Sequence, residues 1–503
     1  MSNLPASRAE SAGVLLAPES IGQLGTPPAA GWRTLQPDQD QISDFYRNIK
    51  TVAPSPISVE RQEQAPEIVD ADASPKLQQD LTGDLLNDIG EGVALAKARH
   101  SGGTGASFFV PAARTATAFT VANSGALPQG TLVHAKGWAA APNNGLFVVG
   151  AGAVAGSIPV AGGVPETPAG YLATLEVAGL RGGAGAIGID VSGNLTSDGS
   201  IDFTTRGLSP GQELYVGGPP GSPFAFATAG LGGVAEIVSV TQGLIALRRR
   251  AWPAGIADPG TGKTIDLYFT RWLRNVATTH PDYQEQPYHL ELTLSGIGPG
   301  GASEYIYAQG QMIGIFELDA PLAQLVKATI SFVGTDVTDP SVARVAGPAA
   351  APVPVAVDRF NTATKVPYLQ VLDAATEASV VSDVTSWKLT FSNNITGQKQ
   401  HGKLGPKRLV VGKVSCSLDM EVVVTQDDAI RACSNNTTLM FGALLRNSNG
   451  GVFVNLPAMK FTGAVPKFPA NGVVTISPKG GAFVDPIGRY TLGLSVFAYL
   501  PAA

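Results

Sequence analysis

Three glycine-rich stretches have spacings that could do chemistry. Pro259–Thr264 reads PGTGKT, the end of a phosphate-cradling loop whose lysine and threonine would meet a nucleotide and its magnesium. The full pattern needs a glycine where Ala257 stands, and a helix whose N-terminus holds phosphate; the following TIDLYF is strand-like. Gly207–Gly211, GLSPG, has the spacing of a nucleophile elbow. That chemistry needs a strained turn opening a helix, whereas QELYVGG reads as a strand and Pro210 occupies the turn. Gly296–Gly301, GIGPGG, fits a dinucleotide fingerprint but lies between two strand-like runs, where a β-turn explains it.

The titratable residues assemble no metal or catalytic constellation. His100, His134, His280, His289 and His401 have no ligand spacing to one another or to Cys416 and Cys433. Two acidic rows remain: Asp80, Asp84 and Asp88, and Asp419 with Glu421. They could be paired catalytic carboxylates, but a solvated strand face is the simpler reading. The sequence therefore predicts no catalytic residue, cofactor or metal.

Those rows belong to two stretches of similar layout. Trp387–Val424 reads as a strand, a long basic loop and a second strand. In that second strand Val414, Cys416, Leu418, Met420 and Val422 fall on one face, and Ser415, Ser417, Asp419 and Glu421 on the other. Ile57–Ile89 is expected to repeat this as strand, polar loop and strand. There Leu77, Leu81 and Leu85 face one way and the three aspartates the other. A short helix should follow each, at Gly90–His100 and at TQDDAIRACSNN, with Thr425 as N-cap of the second. The loops are opposite in sign. One carries Glu67, Asp70 and Asp72, the other Lys399, Lys403, Lys407 and Arg408, an opposition that could guide subunit docking.

Composition bounds the rest. At 503 residues the chain should form two to four domains. Glycine (60) and proline (37) make about a fifth of it, which favours turn-rich β structure. A net charge of -6 argues against a surface that grips nucleic acid by bulk positive charge. Two cysteines suit folding in a reducing cytoplasm, and no apolar run reaches the roughly 20 residues that span a bilayer. Residues 1–35 read as an extended arm and 36–101 as the first part of unit 1. Residues 102–262 read as inserted β-modules, with related pieces at Ala126–Gly152 and Leu208–Val240. Residues 263–340 complete unit 1, 341–383 form a linker and 384–503 form unit 2.

Several segments together resemble the major tail tube proteins of long-tailed bacteriophages with non-contractile tails. They are SVERQEQAPEIVDADASPKLQQDLTGDLLNDIGEGVALA, QMIGIFELDAPLAQLVKATISFVGTDV, and VTSWKLTFSNNITGQKQHGKLGPKRLVVGKVSCSLDMEVVVTQDDAIRACSNNT. The FVGTDV ending and the GQELYVGG-type insert are particularly similar. The resemblance implies a mainly β chain of two tandem β-sandwich units, each flanked by a short helix, with small β-modules inserted.

It also implies rings that join edge to edge into an inner β-barrel and stack into a conduit for DNA from capsid to host. The hairpin loops would reach neighbouring subunits and rings. Two units per chain would fill a ring with three chains. The implied partners are further copies of the chain and the tape-measure, tail-tip and tail-terminator proteins. DNA would pass without specific binding, and no membrane is involved. Asp80, Asp84, Asp88, Asp419 and Glu421 are then the lumen candidates, their negative charge repelling phosphate. The alternative is a capsid decoration or fibre protein, or a multi-domain β-protein that binds carbohydrate.

Overall fold

The computed structural model describes residues 13–501, leaving aside 56–63, 102–107, 123, 169–172, 219–222, 346–358, 382, 425–426, 449 and 469–472. The first half opens with β1 (Gly13–Pro18), β2 (Pro37–Ser43), β3 (Asn48–Val52), β4 (Glu67–Asp72), β5 (Lys76–Asp80) and α1 (Gly83–Ala94). The insert follows, and of its strands four matter here: β6 (Thr174–Arg181), β7 (Glu213–Val216), β8 (Gly233–Val240) and β9 (Leu244–Arg248). The half closes with β10 (Thr270–Arg274), β11 (Tyr288–Leu294), β12 (Glu304–Ala320) and β13 (Lys327–Val333). The second half runs β14 (Tyr368–Asp373), β15 (Val384–Ser392), β16 (Thr396–Gln398), β17 (Arg408–Val410), β18 (Ser415–Val423) and α2 (Asp428–Ser434). It ends with β19 (Leu439–Arg446), β20 (Gly451–Lys467), β21 (Thr475–Ala482) and β22 (Gly493–Phe497).

The halves have the same order of parts. In each, a hairpin narrows into a two-stranded ribbon, β3–β4 in one and β16–β17 in the other, and a helix follows. A 17-residue strand, β12 or β20, then crosses from an outer sheet to an inner one. Both long strands carry a bulge as they enter the inner sheet, between Ile313 and Ile315 and between Phe461 and Gly463. A bulge bends a strand and sharpens its twist, which lets one strand serve two sheets.

The inner strands are antiparallel and ordered β2–β5–β13–β12 in the first half and β15–β18–β21–β20 in the second. β12 pairs with β15, Phe316 opposite Phe391 and Leu318 opposite Leu389, so all eight strands form one continuous sheet. Its covered face packs Leu77, Phe316, Leu318, Ile330, Leu389, Leu418, Met420 and Val422 into one core that runs through both halves. Fully burying each such side chain contributes about 1.5–3 kcal/mol. β1 joins the outer sheet of the first half through β11, and β14 joins that of the second through β19. The stretches read as arm and linker thus each supply a strand, and Val14, Leu15, Leu16 and Ala17 of β1 are buried.

Two expectations are corrected. The stretch after Asp80 is a helix from Gly83, so Leu81 is buried just before a helix and Leu85 within it, rather than both along a strand. A four-residue leucine spacing fits one face of either element, and the N-cap decides. The Thr82 hydroxyl accepts from the Leu85 amide at 3.0 Å. Gly90 does not begin this helix; it lies inside it. A Cβ there would come within 2.2 Å of Leu273, and one at Gly92 within 2.3 Å of Tyr288. The glycines are packing sites that seat the helix on β10 and β11. In addition, the outgoing arm of the first hairpin is β2–β3; the strand expected from Ile57 begins outside the described residues, as does Thr425.

The insert has two cores, one of residues from Phe109 to Val177 and one from Leu180 to Phe269, with β6 passing between them.

Candidate lumen face and the junctions behind it

One face of the eight-stranded sheet is covered by core and the other is open to solvent. Alternation puts Gln78 and Asp80 of β5, Glu317 and Asp319 of β12, Lys388 and Thr390 of β15, and Ser417, Asp419 and Glu421 of β18 on the open face. Its charges interleave. Lys327 Nζ meets Asp80 at 2.5 Å and Asp38 at 2.8 Å, and Arg359 Nε meets Asp80 at 2.5 Å. Lys388 lies 3.3 Å from Glu317, and Lys467 lies 3.8 Å from Glu421. Asp419 sits opposite Lys388 on one side and Lys479 on the other. Burial works against the charge on Lys327, but the bonds to Asp38 and Asp80 outweigh it and hold its pKa above the ordinary value.

Of the acidic rows, Asp80, Asp419 and Glu421 share this face. Asp84 and Asp88 do not, because they ride on α1, which packs on the covered side of the sheet. Asp84 bonds Lys136 of the insert at 2.7 Å. Asp88 lies 3.7 Å from Arg33, and burial pushes it up to about 7.

The oppositely charged hairpin loops meet within one chain. Lys399 pairs with Asp70, and with Asp72 at 2.9 Å; its hydrogen bond holds the Asp70 carboxyl below its usual value. Glu67, Lys403, Lys407 and Arg408 are exposed.

The sequence reading missed a buried ionic junction behind the sheet, although the run Arg248–Arg250 marked it. β7 and β8 place Glu213 opposite Glu236. Arg249 reaches Glu236 at 2.7 Å and Glu213 at 3.5 Å, and Arg248 holds Glu236 at 2.6 Å. The second half supplies the remaining contacts. Asn455 donates to Glu213 at 2.5 Å, Ser495 donates to its other oxygen, and Arg249 donates to the Phe441 carbonyl at 3.3 Å. Burial, then the neighbouring Glu236, pushes Glu213 up to about 7. The insert thus enters and leaves through the first half yet is locked to the second.

The glycine motifs are turns. PGTGKT leads into a strand at Asp266–Tyr268, and GLSPG leads into β7 with Ser209 buried. Among the described residues no three His, Cys, Asp or Glu side chains gather as a metal site.

The sequence matches the Phage tail tube protein family over residues 10–478. The chain belongs to that family. The match covers the first half with its insert and most of the second half, and the β-rich fold agrees with it. This tail tube protein is a structural component of the phage virion, located in the tail. No curated protein matches the chain.

Proposed function

We propose that the tail tube protein is a non-enzymatic, tandem two-unit protein of a siphophage. Three copies close into a ring, and the rings stack into the conduit for DNA. One observation carries this reading: two four-stranded sheets of identical order are already joined edge to edge by β12 and β15, and the two outer edges are unpaired among the described residues. An unpaired edge is a template for another chain unless it is protected. The inner segment of β20 on one copy would meet β2 of the next as β12 meets β15. Such a head-to-tail contact generates a closed ring when the rotation closes.

The dimensions favour three copies. About 24 strands at roughly 4.8 Å spacing and roughly 40° tilt give a barrel about 48 Å across between backbones, which leaves room for duplex DNA. Six copies would double that. The open face would then line the bore. Asp80, Asp419 and Glu421 would be among its residues, with Asp319 and Glu317 added. Because Lys327, Lys388 and Lys467 are paired with Asp80, Glu317 and Glu421, the face offers those cations to phosphate already neutralised, so that it avoids DNA by more than bare repulsion. The insert would form the outside of the tube. Tape-measure, tail-tip and tail-terminator proteins would be its partners along and at the ends of the tail.

The test is the mass per ring of purified protein assembled at high concentration, measured with the ring symmetry by electron microscopy. Three chains per ring support the proposal, and six chains would overturn the tandem arrangement.

A further inference from the structure

The contact between the two halves also involves the ribbons. The β16–β17 ribbon of the second half lies against the first half. Its Leu409 (8% exposed) and Ile395 are sealed by Leu95 and Met312, with Val333 alongside. Gly405, at the end of this ribbon, sits so close to the first half that a Cβ would lie 2.7 Å from the Thr335 carbonyl and 3.4 Å from that of Ala71. Lys399 completes the seat on Asp70 and Asp72.

Among the described residues neither counterpart of this contact is filled. In the β3–β4 ribbon of the first half only the base of β4 is covered, at Ala71 and at Asp70 beside Lys399; β3 and the outer part of β4 are exposed, with Ile49, Val52, Ile68 and Val69 (51% exposed) open to solvent. An isolated two-stranded ribbon is marginal in water and gains stability from being covered. Matching β12–β13 to β20–β21 through their bulges places Phe483 and Val484 where Thr335 and Asp336 stand in the first half. Phe483, Val484 and Ile487 (65% exposed) form an uncovered apolar run there. One end of the chain has a ribbon without a seat, and the other a seat without a ribbon.

We propose that the β3–β4 ribbon docks on the Phe483–Ile487 surface of a second copy of this chain, in the same ring. This rests on the ring reading above and adds a side-chain contact to the backbone pairing of β20 with β2. The occupant is a second copy because the chain already makes the equivalent contact internally. The contact is heterologous, since ribbon and seat are different surfaces, so it propagates around a ring rather than stopping at a dimer. The exposed Glu67 on the β3–β4 ribbon and the exposed Lys403, Lys407 and Arg408 on the β16–β17 ribbon are opposite in sign, which would steer the approach of neighbouring copies.

The test uses two full-length variants. Ile68→Asp with Val69→Asp disables the ribbon, and Val484→Asp with Ile487→Asp disables the seat. All four positions are exposed, and thermal melting checks that each variant folds like wild type. Sedimentation and electron microscopy then follow assembly against concentration. Each variant alone should need a concentration higher by roughly tenfold or more to assemble. Mixed, they should form a one-to-one pair and stop, because one intact ribbon meets one intact seat. Variants that assemble like wild type would overturn this contact and leave the tube reading standing. Wild-type protein that stays monomeric at every concentration would overturn both.

Discussion

Replacing Arg249 with Met probes the buried junction between the insert and the second half. Arg249 is 3% exposed and lies between Glu213 and Glu236, which are each 1% exposed. Methionine keeps much of the volume and removes the charge. Breaking a buried pair by deleting one partner costs about 3–5 kcal/mol, because the other charge is left unpaired. Arg248 still holds Glu236 at 2.6 Å, so the lower end applies, about 3 kcal/mol at pH 8. The loss should shrink at pH 5, where Glu213, already pushed up to about 7, takes a proton and no longer needs a cation. Adding Glu213→Gln should recover part of the loss at pH 8. Hydrogen exchange of peptides spanning β7, β8 and β19, read in urea at both pH values, measures it. A loss under about 1 kcal/mol at pH 8, or an equal loss at both pH values, would refute the idea that this pairing locks the insert to the second half.

Other perturbations have calculable signs. Glu213 binds its proton more tightly folded than unfolded, so its contribution to stability falls as pH rises from about 4.5 to about 7. Glu213→Gln should therefore gain on wild type over that range, by up to about 2–3 kcal/mol in paired denaturation curves; a flat difference would contradict the burial argument. Thr82→Ala removes the cap of α1 and should cost about 1 kcal/mol in the same assay. Asp419→Lys with Glu421→Lys would put free cations on the open face. Assembled tubes of this variant should retain DNA at low salt and release it as salt rises, whereas wild-type tubes retain little at either salt.

Much of the inner sheet was legible because period-2 burial is strong where one face is wet. In β18, Cys416, Leu418, Met420 and Val422 are buried while Ser415, Ser417 and Asp419 are exposed, as alternation requires. The stretch after Asp80 was misread because spacings of four suit both a strand and a helix. Only the Thr82 cap and the close approach of Gly90 and Gly92 to Leu273 and Tyr288 separate the two. The first hairpin was displaced along the chain for a related reason. β3 is exposed throughout, so no buried residue marks its period. The Glu213–Glu236–Arg249 junction could not be read, since its partners Asn455 and Ser495 come from sequence more than 200 positions away. Pairing Lys399 with Asp70 was suggested by sign alone, but sign does not say that both lie in one chain.

The central claim is that the eight-stranded sheet lines a bore. A three-dimensional map of assembled tubes by electron cryo-microscopy tests it most directly. The account predicts three chains per ring, a continuous inner barrel in which β20 pairs with β2 of the next copy, and Asp80, Asp419 and Glu421 facing the channel with residues 109–269 outermost. A map with the insert in the channel, or with the open face buried between stacked rings, would contradict it.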